Sequence, residues 1–406
     1  MRRSGHVSRL TGGAGDAQAT TGGVVGDRPI QPRYRPTPPP CLRPPGRHPH
    51  PPRVGRHGLS LGCIALVLLA GCSGGSNQAA PSPTTASPTP SPTPSPTPSP
   101  TPKPKPKPAP PPVNPLTGLR GVPTGPVVVV KIDDTASGRP QIGLESADIV
   151  YVEQVEAGLT RLAAVFASRR PAVVGPVRSV RNADPELLVT YGRPALAYSG
   201  GAAGPVGVLR RSPVIDAGPQ RVGGAYRRLG TRHAPYNLVV DTGRIAAAAA
   251  GATGVRDIGL RWSATDPALA KARRVNAVSV LVGRTAVRFR WSPQAHLWLQ
   301  VNSDGSYRRT ASGRIIATPN LVVPFSRARI DRSDVDVVGN PSVYTSTVGS
   351  GTVLVFRDGR VLTGRWGRPR ARGPTRYEDA AHRPLTLRPG GAWVLLAATG
   401  APVNMR

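Results

Sequence analysis

Between Pro81 and Pro112 the chain repeats Ser-Pro-Thr-Pro and then Lys-Pro. Such a composition cannot bury a core, and proline removes backbone donors, so it reads as a stiff polyproline II spacer. At ~3.1 Å per residue, about thirty residues extend on the order of 100 Å. Whatever folds as a globule must therefore do so from Asn114 onward. The run from there to Arg406 is long enough for one large domain or two smaller ones with real cores.

The other side of the spacer is equally restrictive. Leu59 to Leu69 (LSLGCIALVLL) is apolar but about 11 residues long, against the ~20 needed to span a bilayer. It ends in Leu69-Ala70-Gly71-Cys72, followed by Ser73-Gly74-Gly75-Ser76. Small residues before a cysteine, after a short apolar core, form the lipobox of a bacterial lipoprotein export signal. Cys72 is then expected to be the mature N-terminus, carrying diacylglyceryl and acyl (palmitate-type) chains. The membrane is the first partner, through the lipid on Cys72, and the location is the extracytoplasmic face of the cell membrane. Residues 1–53 are rich in Arg, Pro, Gly and His and lack hydrophobic periodicity. Export signals do not begin fifty residues before their core, so translation is expected to start near Val54. The expected organisation is 1–53 untranslated or disordered, 54–72 signal peptide, 73–113 linker, 114–254 a first domain and 255–406 a second.

The chain carries a formal net charge of +32, and its globular part remains strongly basic without the leader and linker. Outside the membrane, a basic surface fits anionic lipid, cell-wall polymer or polyprenyl phosphate, and no nucleic acid is expected. A GC-rich genome would also enrich arginine, so composition alone does not decide. Cys41 and Cys63 precede the processing site and Cys72 is acylated, which leaves the mature chain without a disulfide or a catalytic thiol.

Local patterns predict a mixed α+β fold, with an α/β first domain and a β-rich second one, the two sharing a sheet. Val127–Ile132 (VVVVKI) reads as a strand buried on both faces, and Ala147–Val155 and Thr160–Ser168 as strands joined tightly through Glu156-Ala157-Gly158-Leu159. Helices are expected over Asn182–Tyr191, Val206–Arg210 and Thr242–Ala250. From Ala277 the chain turns to strands separated by turns such as Ser303-Asp304-Gly305 and Asp358-Gly359. All five tryptophans lie in this half, where most are expected in the core and one or two could stack on sugars.

Asn114-Pro115-Leu116-Thr117-Gly118-Leu119, Ile132-Asp133-Asp134, Arg139-Pro140-Gln141 and Ala147-Asp148-Ile149-Val150-Tyr151 resemble the YerB-like bacterial lipoprotein family. So do Gly175-Pro176-Val177-Arg178-Ser179-Val180-Arg181, His233-Ala234-Pro235-Tyr236-Asn237-Leu238 and Leu387-Arg388-Pro389-Gly390-Gly391-Ala392-Trp393. The resemblance runs in order from Asn114 to about Leu396. It departs at Asp134 and Val152, where the family usually has Asn and Glu. It implies an envelope lipoprotein of two parts, in a family with no settled activity.

The residues of these motifs suggest a site. Arg178 and Arg181, joined by Arg139 and Arg161, offer forked donors that match phosphate oxygens. Asp133, Asp134 and Asp148 are candidate metal ligands, and with a phosphate they could hold Mg²⁺, which needs few protein oxygens. Glu153, Glu156 and His233 complete the candidates. The competing reading pairs the same arginines and acids with one another as an internal ion network. The order of acidic strand, arginine turn and Gly-Gly loop also resembles the LytR–CpsA–Psr phosphotransferases. That resemblance implies a Mg-dependent transfer from polyprenyl pyrophosphate, with Asp148, Arg178 and Arg181 in its roles, although Arg178-Ser179 replaces the family's Arg-Asp pair. Two classes therefore stand: a lipoprotein that binds an anionic envelope ligand or a partner protein, and a phosphotransferase. Arginines fully paired with acids favour the first, and an open carboxylate in an arginine-lined cleft favours the second.

Overall fold

The computed structural model describes residues 111–406; Cys72, the signal segment and nearly all of the linker lie outside the described residues. Alternating side chains build the centre. In β1 (Val128–Asp133), β2 (Ile149–Gln154) and β3 (Thr160–Phe166), nearly every residue is buried. The three strands pair antiparallel, with β3 in the middle and Arg161 opposite both Asp133 and Glu153. β4 (Ala195–Ala197) and β5 (Ile215–Asp216) extend the sheet in parallel beyond β1. Beyond β2 come Ala392–Leu395, Asn320–Ser326, Gly349–Arg357, Arg360–Arg368 and Arg376–Glu378. One sheet thus carries strands from both halves of the chain. The late strand Ala392–Leu395 joins them, parallel to Asn320–Ser326 on one side and to β2 on the other.

Parity along the strands divides the core into two layers. Even-numbered Val128, Val130, Ile132, Val150, Val152, Leu162 and Ala164 face one layer, with the five-stranded sheet built on Ala277–Val282 and Thr285–Ser292. Odd-numbered Val129, Ile149, Tyr151, Ala163 and Val165 face the other, packed on α1 (Ala183–Leu188) and α2 (Ala203–Arg210).

The sequence expectation of an α/β first domain needs correction: the fold is mostly β. The helices occur close to their predicted places, with α3 at Thr242–Ala248, but each spans only six to eight residues. Pro185, Pro205 and Gly207 sit inside α1 and α2, where they limit propagation. Helices this short decorate the sheet without forming its second layer. No helix among the described residues is long and apolar enough to cross a membrane. Trp298, Trp366 and Trp393 are buried, as expected of core residues, and Trp262 and Trp291 are half-buried.

Candidate functional site

The same parity sorts the charged residues of β1 to β3 into two groups on opposite faces of the sheet. Lys131, Asp133, Glu153 and Arg161 share the face covered by α1, and Asp134 and Thr160 share the other.

On the α1 face the charges satisfy one another. The fully buried Lys131 Nζ meets Glu153 Oε2 and lies 2.7 Å from Asp184 Oδ1. One ammonium between two buried carboxylates leaves an excess negative charge, so the trio retains a proton. Burial pushes Glu153 up to about 8; Lys131 opposes the shift and Asp184 reinforces it. Arg181 donates to Glu156 Oε2 from Nε at 3.0 Å and from Nη2 at 2.7 Å, and Arg161 stands 3.5 Å from Glu156 Oε1. Burial alone would raise the Glu156 pKa, but the Arg181 pair overrides it and the carboxyl sits below its usual range. Arg178 Nε approaches Asp133 Oδ2 at 2.9 Å without hydrogen-bond alignment, and its guanidinium lies 5.5 Å from the Tyr236 ring centre. Asp133 Oδ1 accepts from Thr135 N and Oγ1, both at 2.6 Å. Arg161, Arg178 and Arg181 are thus engaged with Asp133 and Glu156.

The opposite face is different. Asp134 Oδ1 accepts from Arg308 Nη2 at 2.8 Å and Gln141 Nε2 at 3.3 Å, and Oδ2 from Thr160 Oγ1 at 2.8 Å. Arg139 holds the Asp134 carbonyl at 2.8 Å and stays 3.5 Å from its carboxylate, with its own Nε buried and unpartnered. Asp134, Arg139 and Arg308 line a cleft of about 400 Å³ together with Arg284 and Arg288. Four guanidiniums therefore face one carboxylate that already accepts from three side chains. Burial lowers the Arg308 pKa; Asp134 opposes the shift and the neighbouring Arg139 cation adds to it.

The predicted metal ligands do not converge. Asp133 and Asp134 point to opposite faces, each against an arginine. Asp148 lies before β2, at the far end of the ladder, where Oδ2 accepts from Ala167 N at 2.7 Å and Ser168 N at 2.8 Å. Five strand residues separate that end from Asp133, about 17 Å. These three carboxylates do not fit one Mg²⁺. Among the described residues, no three His, Cys, Asp or Glu side chains group as metal ligands. His233 is exposed on a loop, its carbonyl accepting from Tyr236 N.

Sequence reasoning missed Arg284, Arg288, Arg308 and Gln141. One signal was available: in Val287-Arg288-Phe289-Arg290 the alternation turns the arginines away from the buried Val287 and Phe289. Nothing local indicated that Arg288 and Arg308 would meet Arg139, more than a hundred residues earlier.

Comparison with known proteins agrees with this architecture. Residues 116–256 match the N-terminal domain, and residues 277–394 the C-terminal domain, of a protein family of unknown function (DUF3048). A Bacillus subtilis (strain 168) protein named "Putative lipoprotein YerB" is 45% identical over 72 residues, 17% of this chain and 22% of that protein's length. The crystal structure of the YerB protein from Bacillus subtilis superposes with a TM-score of 0.60 over 72% of this chain and 99% of that one. At 21% identity, that likeness speaks to the fold alone. With both family domains matched in order on one continuous sheet, the chain belongs to the YerB-like family of proteins of unknown function.

Proposed function

We propose that this chain is a lipid-anchored protein of the extracytoplasmic membrane face that binds an anionic group in the cleft of Arg139, Arg284, Arg288 and Arg308. The lipobox at Cys72 and the name of the Bacillus relative support the anchor. The observation that carries the binding reading is the charge imbalance of the cleft: four guanidiniums around Asp134, whose oxygens are already occupied. Guanidinium forks suit the paired oxygens of phosphate or carboxylate. An incoming anion would also relieve the repulsion between Arg139 and Arg308. Arg139 comes from the N-terminal family segment and the other three from the C-terminal one, so a bound anion would bridge both.

Titration calorimetry of the full chain with pyrophosphate tests the binding reading. Saturable binding in the wild type, weakened tenfold or more in the Arg284→Ala/Arg288→Ala double variant, is the expected result. Arg284 is exposed and Arg288 only half-buried, so the double variant should fold. Equal binding by the two proteins would remove the cleft from consideration. The anchor has its own test: labelled palmitate should enter the protein in cells and be lost in Cys72→Ala.

A further inference from the structure

A second group of arginines lies elsewhere on the molecule. The loop after Arg360–Arg368 carries Arg370 and Arg372, which with Arg365 and Arg376 line a cleft of about 940 Å³. Arg372 also lines a neighbouring cleft of about 730 Å³, together with Arg193, Arg211 and Arg256. The two concavities therefore meet at Arg372. None of these seven guanidiniums has a carboxylate within 4.0 Å among the described residues. The acids nearby are taken by other partners: Asp216 by Arg210 and Arg221, Asp379 by Arg383, and Glu378 by His382.

The loop bearing Arg370 and Arg372 is also held in place. Arg368 is buried at 1% exposure and donates from Nε to Ala371 O at 3.1 Å and from Nη2 to Glu186 O at 2.5 Å. Thr190 Oγ1 donates to Gly373 O at 3.0 Å, and Pro369 and Pro374 bracket the turn. Arg370 and Arg372 are thus carried on a fixed backbone, which reduces the ordering cost of binding.

We propose that the two clefts form one continuous track for a linear polyanion of repeating phosphates. A single phosphate can engage only one or two forks. Seven unpaired guanidiniums in two joined clefts match a ligand whose charge repeats along its length. This site is separate from the Arg139 cleft and does not depend on it.

The test is fluorescence anisotropy of the full chain with labelled long-chain polyphosphate, competed by pyrophosphate and by polygalacturonate across a salt series. A track predicts that polyphosphate binds far more tightly per phosphate than pyrophosphate, with affinity falling steeply in salt. Arg372→Glu, at the junction, should weaken polyphosphate binding at least tenfold and lower the salt slope by about one. Arg332→Glu makes the same charge change on an exposed strand outside both clefts and should alter affinity less than twofold. Loss of polyphosphate binding in the Arg284→Ala/Arg288→Ala variant, with Arg372→Glu unaffected, would assign the polyanion to the Arg139 cleft and overturn the track. Equal losses in Arg372→Glu and Arg332→Glu would reduce the effect to net charge and overturn the proposal. Tighter competition by polygalacturonate than by pyrophosphate and polyphosphate would overturn the phosphate assignment.

Discussion

Lys131 is an ammonium at 0% exposure inside a run of valines, and it remains there because Glu153 and Asp184 close on it. Removing the cation would leave the buried Asp184 carboxylate against the Glu153 carboxyl with no counter-ion. Lys131→Met should therefore destabilise the protein by about 3–5 kcal/mol, measured by urea unfolding at pH 7. The same trio makes stability pH-dependent. Glu153 is raised from 4.5 in the unfolded chain to about 8 in the fold. The native state thus binds the extra proton, and the contribution is complete below pH 4.5 and lost as pH rises through about 8. Urea midpoints should fall across that window in the wild type and stay flatter in Glu153→Gln. At this scale the sequence was partly legible. Strand parity put Lys131, Asp133, Glu153 and Arg161 on one face, and internal pairing of arginines with acids was one of the two readings considered. Which arginine would stay open was not legible, because the opening is made by residues from a distant strand.

The strand Ala392–Leu395 lies between the two halves of the sheet, and its approach to β2 depends on Gly391. That residue has φ +96°, and a β-carbon there would lie 2.3 Å from the Asp148 carbonyl oxygen. Gly391→Ala should cost about 1–3 kcal/mol from backbone conformation alone, with the steric clash adding to it; the thermal midpoint is the readout. The hairpin Ala328–Val335 with Pro341–Thr345 escaped sequence reading because its pattern is inverted. It buries Asp331 and Asp334 and exposes Ile330, Val337 and Val338, so no apolar alternation marks it. Asp334 accepts from Asn182 N at 3.1 Å; burial raises its pKa to about 6, with Arg181 opposing and Asp184 and Asp331 adding. The contribution of Asp334 should accordingly be complete below pH 3.8 and lost as pH rises through about 6, whereas Asp331, held low against burial by hydrogen bonds from Ser333 and Asn182, contributes in the opposite sense at lower pH. Hydrogen exchange of its amides, corrected for intrinsic rates, should show this in the wild type and much less in Asp334→Asn. Strands with ordinary patterning were found close to their expected limits, Ala277–Val282 and Leu297–Val301 among them.

Across the whole molecule, the decisive feature is strand order. Ala392–Leu395, near the end of the chain, sits between Asn320–Ser326 and β2, and no local pattern encodes such a pairing. Because neither half closes its own sheet edge there, urea should unfold the protein in one transition, and residues 111–256 expressed alone should lack cooperative unfolding. The five-stranded sheet that packs on the shared one supplies Arg284 and Arg288, and the segment after Leu297–Val301 supplies Arg308, so the cleft forms where that sheet meets the loop carrying Arg139. The arginines divide into a set balanced by acids on the α1 face and a set of four in the cleft that share one carboxylate, Asp134. Arginine side-chain NMR of the protein titrated with pyrophosphate tests this division directly. The account predicts that the Nε–Hε signals of Arg139, Arg284, Arg288 and Arg308 shift together and saturate, while those of Arg161 and Arg181 stay still. Shifts at Arg161 and Arg181 with a silent cleft would contradict it.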